Sequence, residues 1–333
     1  MRTSNKPVGF PTGLFAVVAR DSAWQDEVRQ RRISPATSRK GPDSVPSLAM
    51  LFQSQLDPEL TAERLVEQLK RDFPQFLTEP LTVDAAGSKT SSTPLSLTYG
   101  SQQIALMGVP ETVGDDLTEV ALLSRLWPNE TPAPNDYRAH TLVSVMRSGQ
   151  PAQSYRDAVA DASLMSMVIT STIAITNTVD AVYFGSANHI VFPQLFRELS
   201  LETLPDPILP AWVALNVAPR PDGIMTAHTR GLDMLGLMDV EIPESNESAE
   251  ESFARIVNTA IYQLENGPVV GDGDTLGETD TAEIIAHHAP SQVEIDKTVL
   301  SLEFVGDEFP EYEPPNSDAR DHEPPKRRWF KRK

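Results

Sequence analysis

The chain has no cysteine among its 333 residues. Disulfides, thiolate metal centres and a cysteine nucleophile are therefore excluded together. The same absence fits a reducing compartment, and the expected location is cytoplasmic. Several catalytic signatures are also missing. There is no phosphate loop ending in Gly-Lys-Ser/Thr and no GxGxxG after a strand. Nor is there a GxSxG elbow, an HExxH helix or a kinase motif set. No cofactor signature is read, and no metal-ligand set.

Long apolar runs are scarce. One long uncharged run, Ala162 to Val179, spans 18 residues, of which eight are Ser, Thr or Asn. A membrane span needs about 20 predominantly apolar residues, so this run reads as a buried helix followed by a loop. At the start of the chain, Pro7, Gly9 and Pro11 interrupt any apolar core after Arg2 and Lys6, so no signal peptide is expected.

Basic residues are scarce in one region. Between Asp239 and Glu323 there are 22 acids and three bases, Arg255, Lys297 and Arg320. That segment sums to −19, the net charge of the whole chain, so the remainder is balanced. Binding to duplex nucleic acid needs a basic surface to neutralise phosphate, and the body is not expected to bind it.

What is present centres on Ser248 to Glu278. Ser248 and Glu251 have the spacing of a capping box. Phe253, Ile256, Val257, Ala260, Ile261 and Leu264 then recur at helical spacing on one face. Glu250, Arg255, Asn258 and Gln263 are assigned to other faces. Asn266-Gly267-Pro268 stops the helix, since glycine accepts a left-handed cap and proline cannot continue the ladder. After Val269-Val270 comes Gly271-Asp272-Gly273-Asp274-Thr275-Leu276-Gly277. The two aspartates could hold a hard cation, but the EF-hand ligand set is incomplete. Asx-type turns account for the same residues without a ligand.

The run from Gly267 to Gly277, behind its tyrosine-containing helix, resembles the signature of the domain-of-unknown-function 4261 family. Trp212-Val213-Ala214-Leu215, Thr229-Arg230-Gly231-Leu232 and Leu235-Gly236-Leu237 are similar to it as well, and Ala139 to Val145 more loosely. The resemblance runs over most of residues 47–291 and is strongest after Trp212. It implies a bacterial-type α/β domain. It implies no activity and carries over no catalytic residue.

The rest of the chain reads as alternating short elements. Gly13 to Ala19 is an expected strand, and residues 20–46 a polar connection with five bases between Arg29 and Lys40. Strands are expected at Ser47–Gln53, and as a hairpin over Leu95–Tyr99 and Gln102–Met107. Asp57-Pro58 opens a helix bearing Leu65, Val66, Leu69 and Phe73, and residues 84–94 read as a flexible loop. Asp115 or Asp116 caps a further helix carrying Leu117, Val120, Ala121 and Leu126. His140–Val145 reads as a strand, the helix starting at Ser154 follows, and a second hairpin covers 181–192. The order strand, helix, strand, strand thus recurs. A short helix is expected at Pro193–Leu199. Strands are then expected at 212–218, 223–229, 237–242, 282–287 and 299–304.

From Asp307 to Pro325 there are seven acids, five prolines and one base, a composition expected to stay disordered. The end reverses sign: Lys326, Arg327, Arg328, Trp329, Phe330, Lys331, Arg332 and Lys333 put six bases around two aromatics. Such a cluster is a candidate contact for a protein, for nucleic acid, for the chain's own acidic linker, or weakly for anionic lipid.

The expected fold is α+β: mostly antiparallel sheets with helices packed on one face, two similar α/β halves, and a disordered C-terminal tail. The divisions expected are 1–46, a body at 47–306 with halves 47–127 and 128–306, and 307–333. The ligand-site candidates are His228, Arg230, Gly271, Asp272, Gly273, Asp274 and Thr275. Arg230, beside a glycine at a strand end, could grip a carboxylate or phosphate, or pair with Asp272 or Asp274. Two function classes follow. One is a non-enzymatic interaction or regulatory module with a protein partner. The other is a metal-assisted hydrolase or ligand-binding enzyme with Asp272, Asp274, Arg230 and His228 in one cleft.

Overall fold

The computed structural model describes residues 47–83, 94–147, 154–278 and 283–306. The strand expected at 13–19, the basic connection at 20–46, nearly all of the 84–94 loop and the 307–333 tail lie outside the described residues.

Two sheets carry the body. The first has seven strands: β1 (Ser47–Gln53), β2 (Leu81–Val83), β3 (Leu95–Tyr99), β4 (Gln102–Val109), β5 (Ala139–Arg147), β6 (Val179–Phe184) and β7 (His189–Val191). Their order is β2-β3-β4-β5-β1-β6-β7, and each neighbouring pair is antiparallel. The second sheet has six: β8 (Ala214–Pro219), β9 (Met225–Arg230), β10 (Val240–Ser245), β11 (Asp274–Glu278), β12 (Glu283–Pro290) and β13 (Thr298–Val305). Their order is β11-β12-β13-β10-β9-β8, antiparallel except where β10 meets β13. The α+β class read from the sequence is therefore the observed one.

The recurring strand, helix, strand, strand units interlock within the first sheet. The lead strands β1 and β5 pair at its centre, and each is flanked by the other unit's hairpin. Helix α1 (Ala62–Asp72) belongs to the first unit and α3 (Tyr155–Ile175) to the second. β5 and β6 run in the same direction on either side of β1, and α3 makes the crossover between them.

α3 is the core helix. By length and composition it could cross a bilayer, yet it is mostly buried inside the body. Its polar side chains explain this placement. Ser166 Oγ accepts from Trp212 Nε1 at 2.8 Å, and Ser171 Oγ donates to Asp72 at 3.0 Å. Asp72 ends α1 and also takes both terminal nitrogens of Arg197, each at 2.8 Å, from α4 (Pro193–Thr203). One ion pair thus staples three helices. Burial works to raise the Asp72 pKa, but Arg197 and Ser171 hold it below its ordinary value. At the other end of α3, Arg147 pairs with Asp161 at 3.0 Å and with Asp157 at 3.1 Å.

One apolar cluster joins both sheets through α3, Trp212 and helix α6 (Ala249–Asn266). The short α2 (Thr118–Leu123) lies against the other face of the first sheet, where Phe52, Trp127, Tyr137 and Ile190 form a smaller cluster. α5 (Leu209–Trp212) is a single turn that leads Trp212 into the core.

The central helix read from the sequence is α6, and its capping box is present in both directions. Ile256, Val257 and Ala260 are fully buried, and Phe253, Ile261 and Leu264 pack against the core. Gln263 is a correction. The sequence placed it off the buried face, but it is 1% exposed and donates to the Met238 carbonyl at 3.0 Å. Its amide satisfies a backbone acceptor that would otherwise be buried alone. Gly267 ends the helix at φ +83, and a Cβ there would lie 2.6 Å from the Tyr155 ring. The stop signal is therefore also the point where α6 meets the start of α3.

Candidate functional site

The second sheet is fastened by a buried carboxylate. β9 ends at Arg230, and Gly231 turns the chain at φ +113. A Cβ at Gly231 would sit 2.9 Å from the Ala187 methyl, so the turn needs glycine on both counts. A 3-10 turn (Leu232–Leu235) follows, and Asp239 then leads into β10. Asp239 is 2% exposed, and its carboxylate accepts four bonds. The donors are Thr229 Oγ1 at 2.8 Å, Leu232 N at 3.1 Å, Gly231 N at 3.2 Å and Lys297 Nζ at 3.1 Å.

Lys297 also meets Asp233 at 3.0 Å and Glu294 at 2.6 Å. Burial alone would lower its pKa, but Asp239, Glu294 and Asp233 together raise it above the ordinary lysine value. Burial pushes Asp233 up, with Asp239 adding to the shift and Lys297 opposing it. The second oxygen of Glu294 faces Arg230 Nε at 2.9 Å. This contact is an ion pair without hydrogen-bond alignment, since Nε has no bonded partner. The network ties the 291–297 loop to the β9–β10 turn.

A polar row crosses the face of the sheet away from its core. Asn216 lies opposite His228, His228 opposite Glu241, Glu241 opposite Ser301, and Ser301 opposite His287. The row runs over β8, β9, β10, β13 and β12. Alternate residues of the same strands, such as Ala227, Val240, Leu300 and Ala286, are buried on the other face. Asn216 Nδ2 lies 3.2 Å from His228 Nε2. Burial lowers the His228 pKa, and Glu241 is the largest of the groups opposing that shift. Glu241 is held in turn by Ser291 Oγ and by Gln292 N at 2.9 Å. His287 ends the row, with Nε2 at 2.9 Å from Glu303 and Nδ1 at 3.7 Å from Asp272.

The Gly-Asp-Gly-Asp stretch is a turn that becomes a strand. Asp274 accepts from Gly271 N at 2.6 Å and closes the turn on itself. Asp272 accepts from His288 N at 3.0 Å, and Gly273 N donates to Ala286 O at 2.7 Å. Both interactions pin the turn to β12. From Asp274 the chain is β11, so the loop expected through Gly277 is corrected to a strand pairing with β12. Thr275 Oγ1 donates to Glu283 at 2.9 Å across this pair.

The cleft expected from Asp272, Asp274, Arg230 and His228 does not form. His228 and Arg230 sit on β9, and Asp274 on β11, with β10, β13 and β12 between them. Four strand spacings separate β9 from β11 by about 19 Å. Arg230 pairs with Glu294, not with Asp272 or Asp274. His140 lies in the first sheet against the Glu111 carbonyl at 2.8 Å and does not converge with His228. Among the described residues, no group of three or more His, Asp or Glu is placed to hold a metal ion. The tail candidates Lys326 to Lys333 lie outside the described residues.

The sequence reading missed Asp239, Glu241, Glu294 and Lys297. One signal was available: Lys297 is the sole lysine in a strongly acidic segment. A buried acid cluster needs a cation to neutralise it.

Residues 228–303 match the family model of a domain of unknown function (DUF4261). The match begins at His228 and ends at Glu303, enclosing the Asp239–Lys297 network and all of the polar row except Asn216. No curated protein and no solved structure matches the chain.

Proposed function

We propose that this chain is a non-enzymatic, cytoplasmic protein-interaction or regulatory module. The observation that carries the reading is the 291–297 loop. Three of its polar residues are committed inward: Ser291 to Glu241, Glu294 to Lys297 and Arg230, and Lys297 to Asp239. Its apolar residues point out, with Ile295 92% exposed and Val293 51% exposed. Holding two apolar side chains in water on a loop fixed by ion pairs gives folding no advantage. It pre-pays the ordering cost of a contact with another surface. Leu122 and Leu123, 83% and 61% exposed on α2, are a second such pair.

The polar groups with acid–base potential support the same reading. His228 is flanked by Asn216 and Glu241, and the Ser291 hydroxyl is committed to Glu241. Asp272 and Asp274 hold backbone amides. The partner is a protein with an apolar pocket. Its rim is basic, because the loop's exposed charged residue, Asp296, and the segment around it are acidic. The test is affinity capture from the source cell with the native chain and with Val293→Asp/Ile295→Asp. A protein held by the native chain and lost by the variant supports the proposal. Equal retention by both moves the contact elsewhere.

A further inference from the structure

We propose that residues 326–333 dock on the outward face of the β12–β13 hairpin of the same chain, beside the end of β13. This contact is separate from the 291–297 loop, which joins the other end of the hairpin, and it does not depend on the reading above.

The receiving face is defined by register. Glu283 lies directly opposite Val305, and Ile285 opposite Glu303. All four point away from the core, because Ile284, Ala286, Leu300 and Leu302 point into it. Val305 remains 44% exposed, and the Glu303 side chain 61% exposed. Asp272, with its side chain 69% exposed, stands at the edge of the same face beside His287. The surface is thus a small checkerboard of acid and apolar groups.

The occupant has the complementary pattern. Residues 326–333 read Lys-Arg-Arg-Trp-Phe-Lys-Arg-Lys, six bases around two aromatics. They follow in the chain from β13, which ends at Val305 on this face. The 20 or so residues between Gly306 and Lys326 reach about 66 Å at full extension, while the hairpin strands are about 26 Å long. Tethering at that distance gives an effective concentration on the order of millimolar, so a weak contact is populated. The intervening 307–325 segment has seven acids and one base. The acidic face repels it and attracts the cluster beyond it.

The absence of native cysteine makes the test direct. Lys333→Cys in the full chain takes a single nitroxide label, and relaxation of the body amides is read by NMR. The expected result at low salt is selective broadening of amides 283–287 and 301–305. It should vanish in about 0.5 M salt, where the Debye length falls to roughly 4 Å. It should also vanish in Glu283→Lys/Glu303→Lys and, with the body untouched, in Lys331→Glu/Arg332→Glu. Broadening spread evenly over the body overturns the proposal. So does broadening confined to amides 307–325, or a pattern that survives both charge reversals.

Discussion

Asp239 and Lys297 meet at 3.1 Å across 58 residues of sequence, one leading into β10 and the other just before β13. Their contact brings the only parallel pair of the second sheet into register, and Leu300 N donates to Asp239 O at 2.8 Å beside it. Three carboxylates converge on this one ammonium. Replacing it with an apolar group leaves buried negative charge uncompensated. Lys297→Met is expected to cost about 3–5 kcal/mol, read as a lower urea midpoint with an unchanged m-value. Lys297→Arg, which keeps the charge, should lose much less.

The α6–α3 junction gives a backbone prediction. Gly267 has φ +83 and ψ −165, a region essentially closed to other residues. Gly267→Ala is expected to cost at least about 1–3 kcal/mol from backbone strain alone, plus the clash with the Tyr155 ring. Tyr155→Ala in the same chain should recover the clash component and not the strain. A double-mutant cycle in denaturant separates the two. Purely additive losses would mean the ring has room to move.

His189 makes stability depend on pH. It is 5% exposed, and its Nε2 lies 3.2 Å from the Pro210 carbonyl. Burial lowers its pKa to about 4, with the Pro210 contact opposing the shift. Unfolded, the imidazole titrates near the ordinary value of about 6.5. Below that pH the unfolded chain takes up a proton that the folded chain refuses. Stability is therefore full above pH 6.5 and falls as pH drops towards 4, by about 2 kcal/mol at pH 5. Urea titrations at pH 7 and pH 5 should show this loss. His189→Leu, although less stable overall, should show a smaller difference between the two. Parallel curves for both proteins would exclude His189 as the source.

The Asp272–Asp274 turn predicts indifference to cations. Asp274 is occupied by Gly271 N and Asp272 by His288 N. Calcium, magnesium, manganese and zinc are each expected to leave the melting temperature where it is. Asp274→Asn should weaken the turn by about 1 kcal/mol, because the amide oxygen still accepts from Gly271 N but without the charge assistance of the carboxylate. A melting temperature that rises with the concentration of one cation, and no longer does so in Asp274→Asn, would establish a site.

The local signals were legible where they are local. The Ser248–Glu251 box, the periodic face of α6 and its Asn-Gly-Pro stop describe that helix from sequence alone. The buried helix in the Ala162–Val179 run and both hairpins of the first sheet were equally readable. β11 was not, because Gly-Asp-rich composition has low strand propensity and β12 supplies the pairing. Gln263 was misplaced because its partner, the Met238 carbonyl, lies 25 residues away. The polar row was half visible. Alternation in Ala227-His228-Thr229-Arg230 puts His228 and Arg230 on one face, but which strands stand beside them is a property of sheet order. That order sets His228 four strands from β11 while placing it in line with His287, and no spacing along the chain encodes it.

The most direct test of the interaction reading is photo-crosslinking at the exposed loop. p-Benzoylphenylalanine replaces Ile295 in the full chain, expressed in the source cell. A control replaces Met107, 40% exposed on the first sheet. The account predicts a discrete protein adduct from position 295 and none from position 107. Light-dependent adducts absent from position 295, or identical at both positions, would contradict it.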